Sequence, residues 1–164
     1  MTFSTCDLCD AHPERLAAGS LAVLPPIFTA YGKRQTFSGK AYTLQVFEDN
    51  ALVRATLETP GDGRVLVIDG GSSMARALVG GNLGLLAVKN NWAGIVVDGA
   101  IRDVAEINAC DTGIRALALN PQRSARTGTG KLNGPVLIAR VPVEPGDWIY
   151  ADPDGILVSR DALV

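Results

Sequence analysis

The residues best suited to chemistry gather around Arg102-Asp103, just beyond the β-branched run at 94–98. A fixed guanidinium can hold a carboxylate through two parallel hydrogen bonds. A neighbouring carboxylate suits Mg²⁺ or Mn²⁺, hard cations that take oxygen ligands and keep several waters. Glu106 follows Asp103 by one helical turn and faces the same side. A plainer reading also fits, in which Asp103 complements the dipole of a helix start. Residue types alone leave both open.

Two glycine-rich stretches could bring backbone amides to an anion. Asp69-Gly70-Gly71-Ser72-Ser73 resembles a strand-to-helix phosphate loop. It matches neither GxGxxG nor the P-loop pattern, and a tight turn also accounts for it. Gly80-Gly81-Asn82-Leu83 opens a second apolar stretch. Glycine inside a helical pattern costs about 1 kcal/mol relative to Ala. The pair therefore marks either a helix break or a close backbone approach, where free N–H groups could hold a carboxylate.

Other chemistry is excluded by count. His12 is the sole histidine and sits between Ala11 and Pro13, with no nucleophile motif near it. Ser-His-Asp and Cys-His triads and His-rich zinc sites fall away. Cys6 and Cys9 form a CxxC and Cys110 stands alone. No second pair or ligand-spaced histidines complete a zinc site, and Asp7 beside the thiols disfavours a redox thiolate, so they read as incidental. Between Thr112 and Val143 there is no acidic residue but five basic ones, Arg115, Arg123, Arg126, Lys131 and Arg140. The loop at 120–131 either rims an anion site or is a solvated surface loop.

The elements that must position these residues alternate. One short helix is expected at 7–17, ahead of Pro25-Pro26. Strands are expected at 41–47, 64–69, 94–98, 114–119 and 135–141, with a hairpin joining 148–151 to 155–159 across Asp152-Pro153-Asp154-Gly155. Helices are expected over 74–79, capped by Ser72 or Ser73, over 83–90, and through Ile107. Strand and helix alternate in the middle and strands dominate the ends. That predicts a mixed α/β fold with a parallel layer at its centre and antiparallel additions. Ligands in such folds bind at the carboxyl ends of strands, where Asp69 and the 98–103 stretch lie.

The chain has 164 residues, which predicts one domain spanning 1–164. Apolar residues make up 47% and charged residues 20%, a globular composition. Net charge is −2 with no basic or acidic tail, and aromatic residues are only 5%. Direct nucleic-acid binding and base stacking are therefore not expected. No stretch approaches the roughly 18 uninterrupted apolar residues of a membrane span, and the N-terminus has no signal-like apolar region. The expected location is the cytoplasm, without membrane contact.

Taken in order, TCDLCD at 5–10, FEDNALV at 47–53, GRVLVIDGGSS at 63–73, ALVGGNL at 77–83, WAGIVVDGAIRD at 92–103, TGIRAL at 112–117 and PGDWIYADPDGILV at 145–158 resemble one family. It is that of the regulator of ribonuclease activity A, which also contains class II aldolases acting on 4-hydroxy-4-methyl-2-oxoglutarate and 4-carboxy-4-hydroxy-2-oxoadipate. The resemblance implies a swivelling-type α/β/β fold that assembles as a homotrimer with sites between subunits. It implies that Gly80, Gly81, Asn82, Leu83 and Arg102 hold the carboxylate of a small 2-oxo acid. It implies that Asp103 binds Mg²⁺ or Mn²⁺, partly through waters, and that Arg102 and Asp103 are the catalytic pair.

One departure stands out. Aldolase members carry Asp at the position of Gly81, where it steers proton transfers. Glycine keeps the amide donor and removes the carboxylate, leaving that work to a metal-bound water or to a carboxylate of a neighbouring subunit. The activity implied is a metal-dependent retro-aldol lyase releasing pyruvate, with oxaloacetate decarboxylation through the same enolate. The alternative is a non-enzymatic regulator that binds and inhibits an endoribonuclease. A third and weaker reading is a methyltransferase using the Gly70-Gly71 loop for a nucleoside cofactor.

Overall fold

A computed structural model describes residues 2–164. The chain begins with α1 (Thr5–Ala11), α2 (Pro13–Ala18), β1 (Leu21–Val23), β2 (Thr29–Tyr31) and β3 (Phe37–Gln45). The middle holds α3 (Ala51–Leu57), β4 (Val65–Asp69), β5 (Ala77–Val79), α4 (Gly81–Lys89), β6 (Gly94–Ile101), α5 (Val104–Ala109) and β7 (Ile114–Leu119). Five short strands close it: β8 (Lys131–Leu132), β9 (Val136–Ile138), β10 (Val141–Val143), β11 (Trp148–Ala151) and β12 (Ile156–Ser159).

The parallel centre is present. β3, β4, β6 and β7 lie side by side, all parallel. Every residue of β4 and β6 is buried, as expected of strands covered on both faces. The two faces alternate with period two. Leu66 and Ile68 of β4 and Ile95 and Val97 of β6 join the core under α3, α4 and α5. Val65, Val67 and Val96 point the other way, into a core shared with β9, β11 and β12. Each such side chain contributes roughly 1.5–3 kcal/mol on burial. The result is a helical layer, a central sheet and a second β layer.

The two β layers belong to one curled sheet, because β3 serves both. Its first half, Phe37 to Lys40, pairs antiparallel with β11, and its second half, Ala41 to Gln45, pairs parallel with β4. Beyond β11 the sheet continues through β12 to β1. The fold is thus the expected mixed α/β arrangement, with its antiparallel additions at the chain ends.

Several local expectations are corrected. The helix expected at 7–17 is two helices. Pro13 lacks an N–H and pushes the residue before it out of the helical region, so His12 sits at φ −131, ψ 50 and breaks the run. No helix covers 74–79. Ser72 takes a left-handed conformation (φ 58), and its hydroxyl donates to Asp98 Oδ1 at 2.8 Å rather than capping. The chain turns there and enters β5, which pairs with the far end of β6. That pairing extends β6 past the expected 94–98, through Gly99-Ala100-Ile101. The strand expected at 135–141 is the β9–β10 hairpin, turning at Ala139 and Arg140 with φ 47 and 70. The β11–β12 hairpin forms as expected.

The Asp69 stretch is a tight turn rather than an anion loop. Asp69 accepts from the amides of Gly71 (2.9 Å) and Leu137 (3.2 Å). Its register partner Asp98 accepts from the Ser72 hydroxyl and from the Ala139 amide at 2.9 Å. Two buried carboxylates at adjacent strand ends therefore tie the 70–73 turn to the β9–β10 hairpin, and the space is filled.

Candidate functional site

The site forms where β6 ends. Past Ile101 the chain leaves the sheet, and Arg102 anchors the turn by donating its amide to Val79 O at 2.9 Å. Asp103 then adopts the left-handed region (φ 59, ψ 47) before α5 begins. Asp is among the few non-glycine residues that tolerate this conformation. The twist sends its side chain away from its own helix and toward the start of α4, where Oδ2 accepts from Gly81 N at 3.1 Å.

Gly80 and Gly81 resolve as a close approach, not a break, since α4 starts at them. A Cβ on Gly80 would stand 2.7 Å from Asp103 Oδ2 and 3.6 Å from Arg102 Nε. A Cβ on Gly81 would fall on the Glu106 carboxylate, 2.9 and 3.0 Å from that side chain's Cβ and Cδ. Both glycines leave room for the side chains of the β6–α5 junction to lie against the helix start. Arg102 is held loosely, with Nε 3.8 Å from Asp103 Oδ2 and Nη1 donating to Pro121 O at 3.4 Å.

A cavity of about 200 Å³ opens over this junction. Gly80, Asn82 and Leu83 line it from α4, and Arg102 and Asp103 from the β6–α5 turn. The structure therefore brings Gly80, Asn82, Leu83, Arg102 and Asp103 to one cavity, while Gly81 is not in its lining and meets the site through its amide on Asp103. The opposite wall was not anticipated in full. It comes from Asn50 and Arg54 at the start of α3, and from Arg126 of the basic loop. Most of that loop is exposed, and Arg126 is its one residue at this cavity. The signal for Arg54 was absent from the sequence, because only folding brings α3 beside α4.

Asp49 holds that opposite wall in place. It is almost fully buried and accepts from Ala51 N (3.1 Å), Thr127 N (2.8 Å), Gly128 N (3.2 Å) and the Thr127 hydroxyl. Burial alone would raise its pKa, but these donors outweigh it and bring it down to about 2. Asn50 N to Ala125 O (3.0 Å) and Ala125 N to Glu48 O (2.9 Å) complete the seam. The backbone on both sides of Arg126 is thus tied to the 48–51 segment, through Ala125 on one side and through Thr127 and Gly128 on the other.

Electrostatically the cavity favours anions. Three guanidiniums, Arg54, Arg102 and Arg126, face one carboxylate, Asp103. Arg54 is partly neutralised by Glu58 at 3.1 Å, an exposed i,i+4 pair of small energetic weight. Cys6, Cys9 and Cys110 all have raised thiol pKa values, Cys6 first through the nearby Asp154 charge and the other two through burial. None lines the cavity.

A curled mixed α/β fold with a cavity lined by Arg102 and Asp103 at a glycine helix start defines the structural class of this protein. Within it, the chain belongs to the RraA-like (Aldolase/RraA) family, whose model matches residues 5–158. A Cupriavidus taiwanensis protein, named "putative 4-hydroxy-4-methyl-2-oxoglutarate aldolase", is 62% identical over 159 residues, 97% of this chain and 96% of that one. The structure of the RNA-processing inhibitor RraA from Thermus thermophilus superposes with a TM-score of 0.91 at 44% identity, covering 98% of this chain and 94% of that one. A Geobacillus kaustophilus structure described as an S-adenosylmethionine:2-dimethylmenaquinone methyltransferase gives 0.90 at 39%, covering 98% and 97%.

Proposed function

We propose that this chain is a divalent-metal-dependent lyase that cleaves 4-hydroxy-4-methyl-2-oxoglutarate, or 4-carboxy-4-hydroxy-2-oxoadipate, to pyruvate by retro-aldol chemistry. Oxaloacetate decarboxylation would use the same site. The observation that carries the reading is the convergence of Arg102 and Asp103 on the glycine start of α4. The name of the 62% identical relative supports it.

In this reading Arg102 takes the carboxylate next to the 2-oxo group, since its guanidinium is only loosely held and faces the cavity. The first amides of α4 have no intrahelical partner, and that of Asn82 is available beside it. Arg126 and Arg54 receive the second carboxylate, which suits a di- or tricarboxylate better than a monoanion. Leu83 supplies the apolar side of the cavity.

The donor set fits a hard, water-rich cation. Asp103 commits Oδ2 to Gly81, while Oδ1 takes no hydrogen bond among the described residues. No cluster of three His, Cys, Asp or Glu that could hold a metal ion exists among those residues. One carboxylate with waters and substrate oxygens is the pattern Mg²⁺ accepts. Asp103 would hold the ion, and Mg²⁺ or Mn²⁺ bound there supplies Lewis acidity to the 2-oxo oxygen.

We further propose the homotrimer implied by the family resemblance, with each cavity completed by a neighbour. Large apolar side chains such as Phe47 (65% exposed) and Leu85 (58%) are consistent with surfaces covered in an assembly. Among the described residues no helix is long and apolar enough to cross a membrane.

A second reading, an endoribonuclease regulator, is favoured by the likeness to the Thermus thermophilus inhibitor. The methyltransferase reading gains a named structural neighbour, but its loop at 70–73 is filled by Asp69, Ser72 and Asp98. The experiment is pyruvate release from 4-hydroxy-4-methyl-2-oxoglutarate and from oxaloacetate, with Mg²⁺, Mn²⁺ or EDTA. Asp103→Asn serves as control, because it keeps the backbone conformation and removes the charge. Metal-dependent turnover lost in the variant supports the lyase. Turnover no higher than the metal-only blank refutes it, and retained ribonuclease binding by the variant would then support the regulator.

A further inference from the structure

Retro-aldol cleavage needs a group that moves a proton, and the cavity wall holds none that is free to do so. Arg102 does not deprotonate in proteins. Asp103 is committed to Gly81 and lies near Arg102. Asn50, Asn82 and Leu83 have no suitable chemistry. His12 sits in the break between α1 and α2, outside the cavity.

Glu106 is not part of the lining itself, but it lies against Gly81, between the lining residues Gly80 and Asn82. It lies three residues beyond Asp103 on α5, and its side chain crosses to the first turn of α4, filling the volume a Gly81 side chain would need. Its carboxylate has no hydrogen bond or ion pair among the described residues, whereas those of Asp49, Asp69, Asp98, Asp147 and Asp152 are all engaged. The Glu106 backbone is itself fixed, since its carbonyl accepts from Cys110 Sγ at 3.2 Å. Glycine at 81 thus replaces one side chain with the reach of another. The missing carboxylate need come neither from a neighbouring subunit nor from a bound water.

We propose that Glu106 is the proton-transfer group of this site. Its carboxylate accepts the proton of the substrate's C4 hydroxyl. The O–H electron pair becomes the second bond of a new C4 carbonyl. The C3–C4 bond breaks, and its pair passes into the pyruvate enolate. Glu106, now a carboxylic acid, returns the proton to C3, so that 4-hydroxy-4-methyl-2-oxoglutarate yields two pyruvates with no co-reactant. This inference rests on the lyase reading.

The test uses the full-length protein with Mg²⁺ and two readouts. One is kcat and KM for pyruvate release. The other is exchange of solvent deuterium into the methyl group of pyruvate, followed by NMR, which reports the C3 proton transfer without carbon–carbon bond cleavage. Glu106→Gln is expected to lower kcat about 10²–10⁴-fold, with KM changed only a few-fold, and to abolish exchange. In Glu106→Ala, added formate is expected to restore part of kcat by entering the space left over Gly81. Retention of kcat and exchange by Glu106→Gln overturns this proposal and leaves the lyase intact. Absence of turnover in the wild-type protein overturns the lyase reading and this one with it.

Discussion

Replacing Asp49 by Asn tests whether the wall bearing Arg126 is held from outside the cavity. The carboxylate satisfies three amides and a hydroxyl. An Asn side chain offers one acceptor oxygen and turns an NH₂ toward the remaining donors. Hydrogen bonds to a charged group contribute about 1.5–3 kcal/mol each, and a stranded buried donor costs about 1–3. Because the rim residues can relax toward water, a net loss of roughly 2–4 kcal/mol is expected at pH 7 in urea unfolding, at fixed protein concentration. The pH dependence adds a sign. The folded pKa of Asp49 is about 2 against an ordinary value of 3.8. Its stabilisation is therefore complete above pH 4 and disappears as pH falls through 2. The gap between wild type and variant should narrow by up to about 2 kcal/mol over that interval, at about 1.4 kcal/mol per pKa unit. Substrate KM should rise in the variant as Arg126 loses its anchor. A variant within 0.5 kcal/mol of wild type, or a gap that stays constant down to pH 2 (both margins of about the usual error of such measurements), would refute the assignment.

Arg102→Lys keeps the charge and loses the planar fork, so KM for the 2-oxo acid should rise about 10–100-fold with a smaller change in kcat; steady-state kinetics reads both. The β9–β10 turn places Ala139 and Arg140 at positive φ, a conformation that Asn-Gly adopts with less strain. The double substitution Ala139→Asn/Arg140→Gly should therefore stabilise the protein by about 1 kcal/mol, visible as a higher urea midpoint without a change in slope. Asp152 accepts from the amide and hydroxyl of Thr5 and from the amides of Asp154 and Gly155, and although burial opposes it the net effect lowers its pKa. Asp152→Asn should loosen α1 and speed amide exchange at residues 5–11 above pH 4, with the difference shrinking as the wild-type carboxylate is protonated.

How far the sequence could be read depended on whether the signal was local. The buried strands at 65–69 and 114–119 and the 94–98 part of β6 show as short, largely apolar runs, and the Asp-Pro-Asp-Gly hairpin shows through its turn residues. At 80–83 and 102–103 the residue types alone left a plain structural reading open, and it was the family resemblance that singled these positions out. α3 went unread: Asn50 makes no side-chain cap, and a helix of seven residues has little periodicity to show. β1, β2 and β8, with two or three residues each, exist only because partner strands recruit them. The misread helix at 74–79 shows the same limit, since β5 is decided by the edge of β6 and not by its own propensity. Arg54, Arg126 and the reach of Glu106 over Gly81 are tertiary facts.

The left-handed backbone at Asp103 has a genetic consequence. Few side chains sit there comfortably: Asp, Asn and Gly are the residues that do. An Asp codon becomes an Asn or a Gly codon by a single transition. The charge at the heart of the site is therefore among the easiest features of this protein to lose by drift, at little cost to folding. Mutational routes that silence the site while preserving the outer surface are short. A lineage on this scaffold could lose the Asp103 carboxylate in one nucleotide step and still keep the same outer surface.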